Sequence, residues 1–166
     1  MDIQTFGNIV SGETLVLSGT GSVPNANAEM NKSLSLGTLT LGDGNTSASN
    51  YTLSGGSHTY DISQLSVNVT GSKIYDGSTT VNGSILSLTN LVSGETVSLT
   101  GSGSIDSAAV GANKTVNSGT LALTGSGSGN YTLSSYTTTF EVLPRPISLS
   151  GSRQYNGSAS ADNSDL

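Results

Sequence analysis

The chain repeats itself, and the length of the repeat limits its fold more than any other feature. VSGET at 10–14 returns as VSGET at 92–96, GTLTL at 37–41 returns as GTLAL at 119–123, and Asn31-Lys32 returns as Asn113-Lys114. All three pairs are offset by 82, and 3–41 laid on 85–123 without gaps gives 18 identities in 39 positions. Two residues are lost near Gly42-Asp43-Gly44, after which the offset is 80. At that offset NYTLS at 50–54 matches NYTLS at 130–134, and VNVTGSKIYDGS at 67–78 matches ISLSGSRQYNGS at 147–158. A period of about 80 residues is too long for a solenoid rung and suits a small domain. The boundaries that follow are 1–66 for a first repeat without its opening strand, 67–146 for a complete repeat, and 147–166 for the opening strand and turn of a third.

Composition decides what such a unit is built from. Gly, Ser, Thr and Asn make up 88 of the 166 residues, and only 33% are hydrophobic. The apolar residues are mostly Val, Ile and Leu set singly among Ser and Thr, a pattern that suits thin sheets with one wet face. A modest net charge of −6 and repeated alternation argue against disorder. Strands are expected at Val67–Thr70, Thr79–Val81, Ile85–Leu88, Val97–Thr100, Lys114–Val116, Leu121–Thr124, Tyr131–Leu133 and Thr137–Val142. Asn82-Gly83 reads as a tight hairpin turn, and the Gly-Ser runs 101–104 and 125–129 read as loops. The fold class is all-β: tandem small domains of about 80 residues, sandwich-like with a β-grasp-like layer as the alternative, in an elongated chain. Pro144-Arg145-Pro146 closes the complete unit as a short stiff connector.

The acidic balance, with only 5 Lys+Arg, speaks against nucleic acid and against an anionic membrane surface. No apolar stretch approaches the roughly 20 residues that span a bilayer. With no cysteine and a Ser/Thr/Asn/Gly bias, the chain suits a bacterial surface protein exported unfolded.

Five spaced motifs carry a resemblance: KIYDGST at 73–79, LVSGETVSLTGSG at 91–103, VGANKTV at 110–116, GNYTL at 129–133 and TFEVLPRPI at 139–147. Together they resemble the repeat named for its Tyr-Asp-Gly motif in bacterial filamentous-haemagglutinin-like surface adhesins. The resemblance implies a secreted, modular stalk protein with no catalytic residues to carry over. Two positions depart from it. The third copy reads Tyr155-Asn156-Gly157, and the first has Glu29-Met30 where the second has Gly111-Ala112.

Each candidate site has a simpler structural explanation. Tyr75-Asp76-Gly77 and Tyr155-Asn156-Gly157 read as turns, with Asp or Asn shaping the bend and the tyrosine ring anchored at the core edge. A catalytic or metal-binding carboxylate would not tolerate the change to Asn. Asn50-Tyr51 and Asn130-Tyr131 read as a turn plus a core aromatic. Calcium has only scattered candidates, Asp43 with Asn45, Asp61 and Asp76, and Asp162 with Asp165, none spaced as a calcium loop. His58 stands where the next copy has Thr138, so it reads as a solvated strand position. Lys32 and Lys114 are candidate Lys–Asn cross-link residues, each bond releasing one ammonia. The preferred reading makes them solvated edge lysines that discourage strand pairing. No cofactor and no enzymatic activity are expected.

The expected role is a structural spacer on the bacterial cell surface, with neighbouring repeats as partners. The alternative is a module that binds host glycan or protein. Residue 1 corresponds to residue 83, so Ile147–Leu149 is expected to donate a strand into the gap before Ile3 of another chain, head to tail.

Overall fold

In a computed structural model, residues 6–161 and 163 are described, and they are all-β. They form two compact units, Met1–Leu65 with Gly127–Thr132 and Ser66–Ser126 with Leu133–Leu166. The division after Leu65 lies one residue from the boundary expected at 66, while Gly127–Thr132 groups with unit 1 although it falls inside 67–146.

Unit 1 contains β1 (Leu15–Ser18), β2 (Glu29–Ser33), β3 (Thr40–Asp43) and β4 (Thr59–Ile62). β1 pairs antiparallel with β3, and β2 pairs antiparallel with β4. β2 carries a bulge between Glu29 and Lys32, where Asn31 sits at φ 57°. Asn tolerates this left-handed conformation better than most residues. A 3-10 turn at Ala48–Asn50 delivers Tyr51, which is half-buried. Its hydroxyl donates to the Glu13 carboxylate and accepts the Val10 N–H at 3.1 Å, closing the VSGET turn. The hydrogen bond to Glu13 holds the Tyr51 pKa above the usual tyrosine value.

β5 (Leu65–Ile74) opens a second set: β6 (Thr80–Asn82), β7 (Leu86–Leu88), β8 (Ser98–Thr100), β9 (Ser102–Ile105), β10 (Gly111–Lys114), β11 (Val116–Asn117), β12 (Ala122–Thr124) and β13 (Tyr131–Leu143). The first residue of β5 and the first two of β13 group with unit 1. The strands form a four-stranded sheet in the order β10-β13-β5-β7, a three-stranded sheet β11-β9-β6 and the pair β12-β8. β5 and β13 are neighbours, and the Tyr75 N–H just beyond β5 donates to the Leu143 carbonyl at 2.9 Å. Their C-terminal ends therefore lie side by side.

The core of unit 2 comes from single apolar residues on many short strands. Val67 and Val69 of β5, Val81 of β6, Val116 of β11, and Phe140 and Val142 of β13 are all but fully buried. Burying one Val or Phe side chain is worth about 1.5–3 kcal/mol. That is how so polar a chain can still hold a folded unit.

Local geometry recurs at the sequence offset. Gly37 and Gly119 take φ 54° and 51°, and Asn31 and Asn113 take φ 57° and 55°. The Thr20 N–H donates to Thr38 Oγ1 at 3.0 Å, and the Ser102 N–H donates to Thr120 Oγ1 at 3.1 Å. The bulge recurs as well, between Gly111 and Lys114.

Several elements differ from expectation. Asn82-Gly83 is not a hairpin turn. A 3-10 turn runs over Gly83–Ile85, β6 joins β9, and β7 joins β5. Gly83 serves close approach: a Cβ there would lie 2.9 Å from the Leu99 carbonyl oxygen. Ser102–Ile105 is not a loop but the central strand of the three-stranded sheet. A Cβ on Gly103 would meet the Asn117 carbonyl oxygen at 2.3 Å, so this strand needs a glycine where a strand pattern shows a side chain. Tyr131–Leu133 and Thr137–Val142 merge into the single strand β13. The opening strand expected after 147 does not form: 144–161 carries no strand, and Ile147 and Leu149 are exposed. A lone extended segment leaves its backbone groups without a ladder, and no described strand lies beside it.

Candidate functional site

The most organised polar cluster is the loop after β5. The Lys73 ammonium donates to Asp76 Oδ1 at 2.9 Å, to the Ser78 carbonyl at 2.7 Å and to the Thr80 carbonyl at 3.0 Å. Asp76 Oδ1 also accepts the Ser78 N–H at 2.9 Å, an Asx turn, and Ser78 Oγ accepts the Thr80 N–H at 3.0 Å. Gly77 closes the bend at φ 76°, a conformation that favours glycine.

The loop is built a second time. Asn156 Oδ1 accepts the Ser158 N–H at 3.0 Å, Ser158 Oγ accepts the Ser160 N–H at 3.1 Å, and Gly157 again sits at φ 76°. The Arg153 guanidinium donates to the Ser158 and Ser160 carbonyls, where Lys73 reaches Ser78 and Thr80. The change from Asp to Asn leaves the turn intact because each side chain supplies the same oxygen. Both loops therefore spend their polar groups on themselves.

The tyrosines do not anchor these loops in a core. Tyr75 is 41% exposed and Tyr155 is 97% exposed, so their rings face water rather than the core edge. Lys73 and Arg153, absent from the candidates above, carry a signal of their own in the sequence: two of only five basic residues stand 80 apart in the motif.

The Lys73 hydrogen bond, followed by that of the Ser78 N–H, holds the Asp76 carboxyl below the usual aspartate value. A carboxyl shifted this way binds its proton more weakly folded than unfolded. Its contribution is present above the unfolded carboxylate pKa and is lost as pH falls through the lower folded one. Asp76→Asn keeps the Asx oxygen and removes the titration. Melting temperatures of the variant are expected to lie below the parent's near neutrality and to converge with them as pH falls through the carboxylate range. Curves separated by the same amount at every pH would contradict the assignment.

The other candidate residues lie elsewhere. Lys32 is buried, not a solvated edge lysine. Its ammonium is held by Asn25 Oδ1 at 2.6 Å, the Asn27 carbonyl at 2.7 Å and the Glu29 carboxylate at 3.6 Å. Three oxygens around one ammonium make its burial tolerable. Lys114 is half-buried, and the residues equivalent to Asn25 and Glu29 are Ser107 and Gly111, which offer neither amide nor carboxylate.

Asp43 Oδ1 accepts the Ala48 N–H at 2.7 Å, and Asn45 Oδ1 accepts the Thr14 N–H at 2.6 Å. Asp61 Oδ1 accepts the Asn31 N–H at 2.6 Å, and a His58 ring nitrogen pairs with the Leu53 carbonyl at 2.8 Å. Asp162 and Asp165 lie outside the described residues. Among the described residues no three His, Cys, Asp or Glu side chains converge as a metal set would.

The stretch from the end of β4 through most of β13, with the Lys73-clamped loop inside it, matches a known domain. A YDG domain is found at residues 62–139. Just under half of the chain is matched. The YDG domain carries Tyr75, Asp76 and Gly77, and its strands supply most of the buried residues of unit 2. No curated protein and no solved structure matches the chain.

Proposed function

We propose that this chain is a non-enzymatic structural segment of a secreted bacterial surface adhesin, in which YDG-type repeats of about 80 residues act as a stalk. One observation carries this reading: the loop's turn bonds and its cation-to-carbonyl clamp are built twice although Asp76 becomes Asn156. Geometry is kept and the ionisable group is not, as a structural role demands. The recurrence of the bulge and of the Gly37 and Gly119 turns supports it. Neighbouring repeats are the partners in this reading, and the work needs no cofactor, nucleic acid or membrane insertion.

A second reading, a module that grips host glycan or protein, draws on the exposure of Tyr75 and Tyr155. Aromatic rings that face water are common contact residues in recognition surfaces. An array of glycans and matrix proteins probed with the purified chain separates the two. The stalk reading expects no signal above background. Binding that disappears in Tyr75→Ala/Tyr155→Ala, with an unchanged circular dichroism spectrum, overturns it in favour of the binder.

A further inference from the structure

We propose that the free edge of β4 is a strand-acceptor site, and that its occupant is the segment Ile147–Gln154 of a second copy of this chain. The inference rests on the repeat reading above and gives it a partner and a point of contact.

The acceptor is defined by comparing the units position by position. β4 pairs with β2 through Glu29↔Ile62 and Lys32↔Tyr60. In unit 2, β13 pairs with β10 through Gly111↔Val142 and Lys114↔Phe140, the same register at the sequence offset. β4 is thus the counterpart of the final stretch of β13. But β13 is flanked on both sides, by β10 and by β5, whereas β4 is bonded to β2 alone among the described residues. The side chains show the difference. Phe140 is 1% exposed, and Tyr60 in the equivalent place is 38% exposed.

The shortfall extends along the stretch 6–65 of unit 1. Among the described residues of 6–65 no apolar side chain is buried; Lys32 alone is. Leu17, Leu34 and Leu39 are only half-buried, while their counterparts Leu99, Val116 and Leu121 are buried. In unit 2 those counterparts share a core with Val67 and Val69 of β5. No described residue of unit 1 takes the part of β5.

The segment after β13 has the residues for that part. Ile147 and Leu149 align with Val67 and Val69, yet they are 83% and 70% exposed. Gly151 aligns with Gly71, where a Cβ would lie 2.8 Å from the Ile85 carbonyl oxygen and 3.2 Å from a ring carbon of Phe140. The glycine that lets an aromatic ring lie against β5 is therefore kept in the donor, and Tyr60 supplies the ring in the acceptor. The Asn156 turn beyond the segment is already formed. Only the strand itself remains to be paired.

An unpaired edge offers N–H and C=O groups to any extended strand, and matched side chains give the choice of strand. Pro144 and Pro146 keep the chain extended as it leaves β13, so the segment does not turn back beside that strand. A second copy is the occupant we commit to. The contact joins two different surfaces, so it propagates from copy to copy unless its rotation closes a ring.

The test is light scattering on the full chain from micromolar to millimolar concentration. The mass average is expected to rise with concentration. It should stay at one chain in Ile147→Asp/Leu149→Asp, whose changes fall on exposed side chains and spare the folded units. A synthetic peptide of residues 145–158 should dissolve the assemblies and slow amide exchange at 59–62. A monomer at every concentration overturns the proposal, and so does association that the double variant leaves intact. Protection of 59–62 by the chain's own segment in a monomer also overturns it, in favour of closure within one molecule. None of these failures touches the stalk reading, which stands or falls on the array.

Discussion

Phe140→Ala is expected to cost unit 2 about 3–5 kcal/mol, a large share of the roughly 5–15 kcal/mol that holds a small domain folded. The ring is all but fully buried on a strand flanked on both sides, and Gly71 on β5 lies against it. Truncation therefore removes apolar contact and leaves a cavity that rigid sheet backbone cannot readily fill. Tyr60→Ala, at the equivalent place on β4, is expected to cost about 1 kcal/mol or less, because a partly exposed ring forfeits little. Urea unfolding followed by circular dichroism measures both, and amide exchange assigns each loss to its unit. Equal costs at the two positions would show that Phe140 is not the centre of the core.

Gly101→Ala is expected to be nearly as damaging, and Gly77→Ala to be mild, although both glycines have positive φ. Gly77 sits at 76° with nothing within 4 Å of an added Cβ. Its replacement pays only the left-handed strain, about 1–2 kcal/mol. Gly101 sits at 80°, and its Cβ would lie 2.2 Å from the Thr120 carbonyl oxygen. Because that oxygen belongs to backbone, β9 or the Thr120 turn must shift, which takes the expected loss beyond about 3 kcal/mol. Thermal melts of the two variants side by side decide it. A Gly77→Ala loss that matched Gly101→Ala would mean that conformation alone, and not crowding, sets the cost.

These glycines also show what was legible in the sequence. Asp76-Gly77 and Asn156-Gly157 each form an Asx turn, a local device that a dipeptide can signal because the side-chain oxygen reaches an N–H two residues on. Asn82-Gly83 carries the same dipeptide signal, yet its glycine answers to Leu99, which lies far along the chain. Ser102–Ile105 hides for a similar reason, since its fit depends on Asn117 and Leu121 rather than on alternation of its own. The all-β class was legible because single Val, Ile and Leu residues among Ser and Thr suit little else. Lys32 was misjudged because Asn25, Asn27 and Glu29 surround it only after the bulge at Asn31 sets their geometry. Ile147 and Leu149 had the right pattern for a strand. A strand is a property of two segments, and the second is not supplied beside them.

The adjacency of β5 and β13 has a mechanical consequence. The strand that opens the YDG domain and the strand that closes it are direct neighbours, and their C-terminal ends meet at the Tyr75–Leu143 hydrogen bond. Tension applied where β5 begins and where β13 ends draws the two strands past each other along their length. The backbone bonds between them then bear the load together, in shear, instead of parting one at a time as in an unzipped hairpin. Pulled at those two points, the YDG domain would yield by losing the whole ladder at once.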